Sequence, residues 1–209
     1  LSRSPLLARA QGGEIGVRTR AIPGLESAFA AYYISMASEI VFVGDAGTTE
    51  LGPGSRRFGF EWTNHWQPRP WLAFDVDFSL TQARFVEATN GGRYIPGAPA
   101  FVGAAGLTLG ESVGWFATAR MRWIGWRPLT EDNSVRQNPT FTGNSRIGYR
   151  FANGIRMQFE SFNLFGSRGN QVEYYYVSRL QGEPPAGVAD RHVHPMEPFA
   201  ARVTLAAEF

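Results

Sequence analysis

Two short clusters and one scattered residue type hold the side chains that could do chemistry. Asp190, His192, His194 and Met196 lie close together, and neighbouring imidazoles beside a thioether suit copper or zinc. The His-Val-His spacing matches no closed four-ligand set and the chain has no cysteine, so these read as structural loop histidines, with no metal site and no cofactor expected. Tyr174, Tyr175 and Tyr176, with Tyr94, Trp123 and Trp126, could stack on a bound ligand. Aromatic girdles at a membrane interface explain such a set more simply, which leaves the three loop tyrosines as the better ligand contacts. Arg120, Arg122, Arg146, Arg150, Arg156 and Arg202 could grip an anion through charge-assisted bidentate hydrogen bonds; otherwise they form a wetted wall paired with Glu160 and Glu208. His65 and Ser145 fall on opposite faces of their strands, with no acid at a recognisable spacing, so no catalytic residue and no enzyme is read here.

The elements that must position these side chains are strands. Phe199, Ala201, Val203, Leu205, Ala207 and Phe209 share one face of an extended segment, with Arg202, Thr204 and Glu208 on the other. The dyad recurs upstream. Leu72, Phe74, Val76, Phe78 and Leu80 alternate with Ala73, Asp75, Asp77, Ser79 and Thr81, and Trp115, Ala117, Ala119, Met121 and Trp123 alternate with Phe116, Thr118, Arg120 and Arg122. The same rhythm runs through Phe58 to Trp66, Ser145 to Phe151 and Ile155 to Glu160, and the charges keep to one face. This is the pattern of a barrel that is oil-facing outside and wet inside, whereas a soluble sandwich hides its apolar face under shorter, more evenly spaced turns.

Composition agrees. The chain has 209 residues, 44% hydrophobic, 14% aromatic and only 18% charged. No window approaches the roughly 18 uninterrupted apolar residues of a spanning helix, which excludes a helical membrane protein. A mean hydropathy of −0.21 is what alternating strands average to. All 20 basic residues are arginine, spread over nearly every strand and loop, and the net charge is +2, so no nucleic-acid footprint is present. Neither Gly91-Gly92 nor the Gly166 to Gly169 segment has the strand-to-helix context of a phosphate loop.

Nine spans emerge, about Glu14 to Arg20, Ser27 to Val43, Arg56 to Gln67, Trp71 to Phe85, Phe101 to Gly110, Trp115 to Gly125, Thr142 to Phe151, Ile155 to Asn163 and Phe199 to Phe209. Short turns, including an expected two-residue Asn153-Gly154 hairpin, alternate with the long connections Gly44 to Ser55, Val86 to Ala100, Trp126 to Phe141 and Gly166 to Pro198. Short turns face the periplasm in outer-membrane barrels, so the last strand runs inward. An odd strand count cannot close antiparallel, and no signal peptide precedes Leu1. The expectation is therefore that residues 1–209 are the C-terminal part of a larger barrel, its start missing or removed.

The stretches Arg57-Phe58-Gly59-Phe60-Glu61, Trp71-Leu72-Ala73-Phe74-Asp75, Tyr94-Ile95-Pro96-Gly97-Ala98-Pro99, Glu160-Ser161-Phe162-Asn163-Leu164-Phe165 and the terminal strand ending at Phe209 together resemble the C-terminal barrel portion of TonB-dependent outer-membrane receptors. The resemblance covers nearly the whole chain. It implies an antiparallel transmembrane β-barrel of about 22 strands blocked by an N-terminal plug, with the plug and the first barrel half absent here. It further implies a bacterial outer-membrane location and active uptake of a scarce ligand such as a ferric siderophore, a cobalamin or an oligosaccharide. The implied partners are outer-membrane lipid and lipopolysaccharide, the plug, the TonB energy-coupling complex acting through it, and the insertion machinery reading Phe209. On this reading the inward arginines could also meet acidic groups of the plug. The alternative is a passive pore or structural barrel without a plug.

Overall fold

The computed structural model describes residues 8–43 and 48–207. In chain order its strands are β1 (Ala10–Thr19), β2 (Leu25–Met36), β3 (Glu39–Val43), β4 (Thr48–Gly52), β5 (Ser55–Arg69), β6 (Leu72–Thr89), β7 (Gly92–Tyr94) and β8 (Phe101–Gly110). These are followed by β9 (Gly114–Ile124), β10 (Arg127–Pro128), β11 (Arg136–Gln137), β12 (Thr140–Arg150), β13 (Ile155–Phe162), β14 (Asn170–Ser178), β15 (Val188–Pro195) and β16 (Ala200–Ala207). One antiparallel sheet runs β1-β2-β5-β6-β8-β9-β12-β13-β16, with the short β7 alongside β6. Each strand of this path coincides with one of the nine spans expected from the dyad.

Register puts the two chemistries on opposite faces. Phe29, Trp62 and Phe78 stand in one cross-strand row, and Leu107, Ala119 and Ser145 in another, all on the apolar face. Nothing in the described chain packs over that face: Trp115 is 69% exposed, Leu205 73% and Ile15 78%. A soluble module would have to bury the face carrying Leu72 and Phe74, yet Val76 and Leu80 on it are exposed, so that reading fails. What the face offers instead is aromatic packing along the surface, Trp123 on Phe141 at 4.7 Å and Phe141 on Phe165 at 5.2 Å at one end, and Trp115 against Tyr149 at 5.3 Å at the other. Polar pairs on it are self-satisfied, Ser145 with Ser161 at 2.8 Å and Ser27 with Asn64 at 2.6 Å.

Three expectations need correction. The span Ser27 to Val43 is two strands, because the chain breaks at Ala37, whose N–H bonds to the Arg9 carbonyl, and Glu39 then turns in to pair with Arg57 and Ser55. The loops at Trp126 to Phe141 and Gly166 to Pro198 hold hairpins of their own, β10–β11 and β14–β15. The Asn153-Gly154 turn is one residue longer than expected: Phe151 and Ile155 close it, and only Gly154 takes a positive φ, 84°, where the two-residue type I′ turn favoured by Asn-Gly needs two such residues. Glu208 and Phe209 lie outside the described residues, as does the tip of the β3–β4 hairpin.

Candidate ligand-facing site on the polar face

Two rows of side chains cross the polar face at mid-sheet. His65, Asp75, Gly106, Arg120 and Asn144 are successive partners across β5, β6, β8, β9 and β12, and Thr63, Asp77, Ala104, Arg122 and Thr142 form the next row. Since neighbouring strands stand about 4.8 Å apart, the two carboxylates and two guanidiniums spring from strands about 10 Å apart. Between them β8 contributes only a hydrogen and a methyl. The result is a cavity of about 680 Å³, walled also by Phe162, Asn163 and the Met196 to Pro198 segment from the base of the longest loop.

Its electrostatics are those of an open dipole. Asp75 is engaged by His65, whose Nδ1 is 2.7 Å away, whereas Asp77, Arg120 and Arg122 form no hydrogen bond or ion pair among the described residues. Such groups can take up an anionic centre on one wall and a donor or cation on the other, with no internal pair to break first. Asp75 also gives His65 the acidic partner that sequence spacing did not reveal. Ser145 is not brought to this pair: it sits on the opposite face, bonded to Ser161.

The six arginines all point to the polar face, but they separate into distinct groups. Arg150 lies 4.0 Å and Arg146 5.6 Å from the ring centre of Phe116, and Arg150 also donates to the Glu111 carbonyl at 2.7 Å. Phe116, an aromatic among polar neighbours, is only 4% exposed, pressed into the slot opposite Gly148. Arg202 gives both Nε and Nη2 to Glu160 at 2.8 Å. Arg156 faces Arg150 across the β12–β13 pair, near the short turns. Only Arg120 and Arg122 reach the cavity.

The loop candidates sit on β14 and β15. Tyr174 and Tyr176 share a face with His192 and Asp190, while Tyr175 falls on the other with Arg191. His192 stacks flat on Tyr176 at 3.8 Å, a packing role, and among the described residues no three His, Cys, Asp or Glu side chains are arranged to hold a metal. Trp123 belongs to the apolar-face stack, away from any ligand site.

Hydrogen bonds fix this hairpin against β10–β11. Arg191 bridges the buried Glu173 at 2.8 Å and the Arg136 carbonyl at 3.1 Å, and buried Gln137 donates to the Asn170 carbonyl at 2.8 Å. Burial pushes the Arg127 guanidinium below its ordinary value, with Glu173 opposing and Arg122 adding to the shift. On the β10–β11 turn, the Thr130 hydroxyl, followed by the Ser134 N–H and hydroxyl, holds the Asp132 carboxyl below the usual range. The Asn163-Leu164-Phe165 run proves structural. Asn163, at φ 47°, donates to the carbonyls of Ser167 and Glu197, tying both ends of the loop together, and Phe165 covers Gly143.

No protein-family model matches the chain, and no curated protein matches it either. Solved structures do. The ferric yersiniabactin uptake receptor FyuA from Yersinia pestis superposes with a TM-score of 0.72 at 17% identity, over 97% of this chain and 30% of that one. The closed form of the ferric-catecholate import receptor Fiu from E. coli K12 gives 0.70 at 18%, over 95% and 27%. The copper transporter OprC gives 0.65 at 15%, over 94% and 32%. The chain thus spans about 30% of the length of the structures it matches. At these identities the likeness is one of fold, and the fold is that of part of a TonB-dependent receptor barrel.

Proposed function

We propose that the chain is part of the wall of a bacterial outer-membrane receptor that takes up a scarce ligand, of the ferric siderophore, cobalamin or oligosaccharide class, by energy-coupled transport. The observation that carries this is one sheet with two opposed faces: an apolar face left uncovered among the described residues, as the lipid-facing wall of a barrel is, and a polar face bearing a pre-formed charged cavity beneath docked loops. Neighbours in fold whose titles name uptake receptors and transporters support the same reading. β1 and β16 run in the same direction and each keeps an unpaired edge among the described residues, so closure needs an odd number of further strands, which on this reading the intact protein supplies together with a plug. The plug links the barrel to the energy-coupling complex of the inner membrane, and the apolar face meets lipid and lipopolysaccharide.

The test is uptake by cells carrying the intact gene. Ligand accumulation is expected to stop when the proton gradient is collapsed; accumulation that persists unchanged belongs to a passive pore and refutes the proposal. Phe209 on this reading belongs to the signal recognised by the insertion machinery. Deleting it from the intact protein is expected to lower the amount of folded barrel in the outer membrane, measured by heat-modifiable gel migration, and undiminished insertion would refute that role.

A further inference from the structure

The cavity on the polar face keeps its two signs of charge apart. Asp77 on β6 and Arg122 on β9 hold the same row with only the Ala104 methyl between them, and Arg120 stands in the row beside. Asp75 is already answered by His65, and it leans over β8, where a methyl on Gly106 would come within 3.3 Å of its Oδ2. Asp77 is therefore the carboxylate left open on that wall among the described residues. On the opposite wall the positive charge is crowded. Arg127 is near enough to Arg122 for the two like charges to be felt, and its buried Nε has no hydrogen-bond partner among the described residues. Its Nη2 donates to the carbonyl of Gln171, a residue that lines the same cavity, at 3.3 Å. The neighbouring Glu173 is already taken by Arg191 at 2.8 Å, and Glu197, also on the cavity wall, pairs with no arginine among the described residues.

A ligand of one charge sign gains at one of these walls and is repelled at the other, and a neutral ligand leaves both without a counter-charge. We propose that the cavity selects a zwitterionic ligand, with its ammonium on Asp77 and its carboxylate between Arg120 and Arg122. The two walls stand on strands about 10 Å apart, so the ligand's charges must be separated by a spacer of several bonds; the charges of an α-amino acid are too close together to reach both. Arginine forks match the planar carboxylate, and an anion between crowded guanidiniums turns their repulsion into attraction. The inference rests on the uptake reading and narrows it, favouring ligands that carry both charges over neutral oligosaccharides.

The probe is ε-aminocaproate, a plain zwitterion of suitable span. It is set against its N-acetyl form, which keeps only the carboxylate, and its amide, which keeps only the ammonium. Binding to the intact protein in detergent micelles is read by saturation-transfer NMR titration, with the folded state checked by heat-modifiable migration. The wild type is expected to bind the zwitterion more tightly than either blocked form by on the order of tenfold. Asp77→Asn is expected to erase the advantage over the N-acetyl form and keep that over the amide, and Arg120→Gln with Arg122→Gln to do the reverse. Equal binding of the three probes, no saturable binding, or a preference that neither set of substitutions moves overturns the site. Unfolding midpoints lowered by the substitutions while binding stays unchanged would give both walls to the plug and overturn it too. Failure of the uptake reading shows separately, as accumulation that persists without the proton gradient even where the zwitterion binds as expected.

Discussion

Reversing the charge of Arg120 and Arg122 together, by glutamate substitution in the intact protein, is expected to reduce ligand uptake by on the order of 100-fold while leaving the amount of inserted barrel unchanged. Both halves of that expectation come from the same geometry. Neither guanidinium contributes a bond to the fold, so little stability is lost. Yet both stand on the cavity wall opposite Asp75 and Asp77, so the substitutions convert a dipolar cavity into one lined by four carboxylates. Arg202→Gln, which breaks the Glu160 pair and the contact of the guanidinium with the Phe162 ring 5.3 Å away on the sheet's edge strands, serves as the comparison and is expected to leave uptake within a few fold of wild type. Uptake in the glutamate double variant equal to that of wild type would remove the cavity from the transport path. Saturable binding to the wild type should also weaken as salt rises, since the arginines are exposed and screened.

Gly148→Leu is expected to destabilise the barrel by about 2 kcal/mol or more. A Cβ at this position would stand 2.5 Å from the Met157 carbonyl oxygen and 2.5 Å from the Phe116 ring, so the ring must leave its slot or the β12–β13 pair must open. Displacing Phe116 also strips Arg146 and Arg150 of the ring they lie against. Urea unfolding of the purified intact protein in detergent micelles measures the effect. A midpoint equal to that of wild type would mean that the slot is plastic and that Phe116 has another place to go.

Much of the sheet was legible because membrane-facing strands leave a strict period of two, and that period survives in segments such as Leu72 to Leu80 and Trp115 to Trp123. The loop hairpins were not legible for the converse reason. Asn170–Ser178 carries three tyrosines in succession and no alternation; its strand conformation comes from pairing with β15, and Arg191 and Gln137 dock the hairpin to β10–β11. Phe116 was read with the polar row, which is where it sits, but its burial depends on a glycine one strand away. The charged cavity was half visible. Asp75, Asp77, Arg120 and Arg122 all stood on the polar face of their strands, but only register shows that Gly106 and Ala104 separate them. The partnership of His65 with Asp75 was hidden likewise, since ten residues of sequence separation become one rung of a ladder.

On the proposed reading, the docking of the two hairpins has a consequence for how the intact receptor would change its taste. Gln137 and the Arg136 carbonyl on one hairpin bond Asn170 and Arg191 on the other, so exchanging either hairpin alone leaves these bonds without their partners. On that reading, selection for a new ligand would act on residues 126–139 and 163–199 together. A chimaera that transplants either segment alone would carry a recognition surface with half of its scaffold left behind.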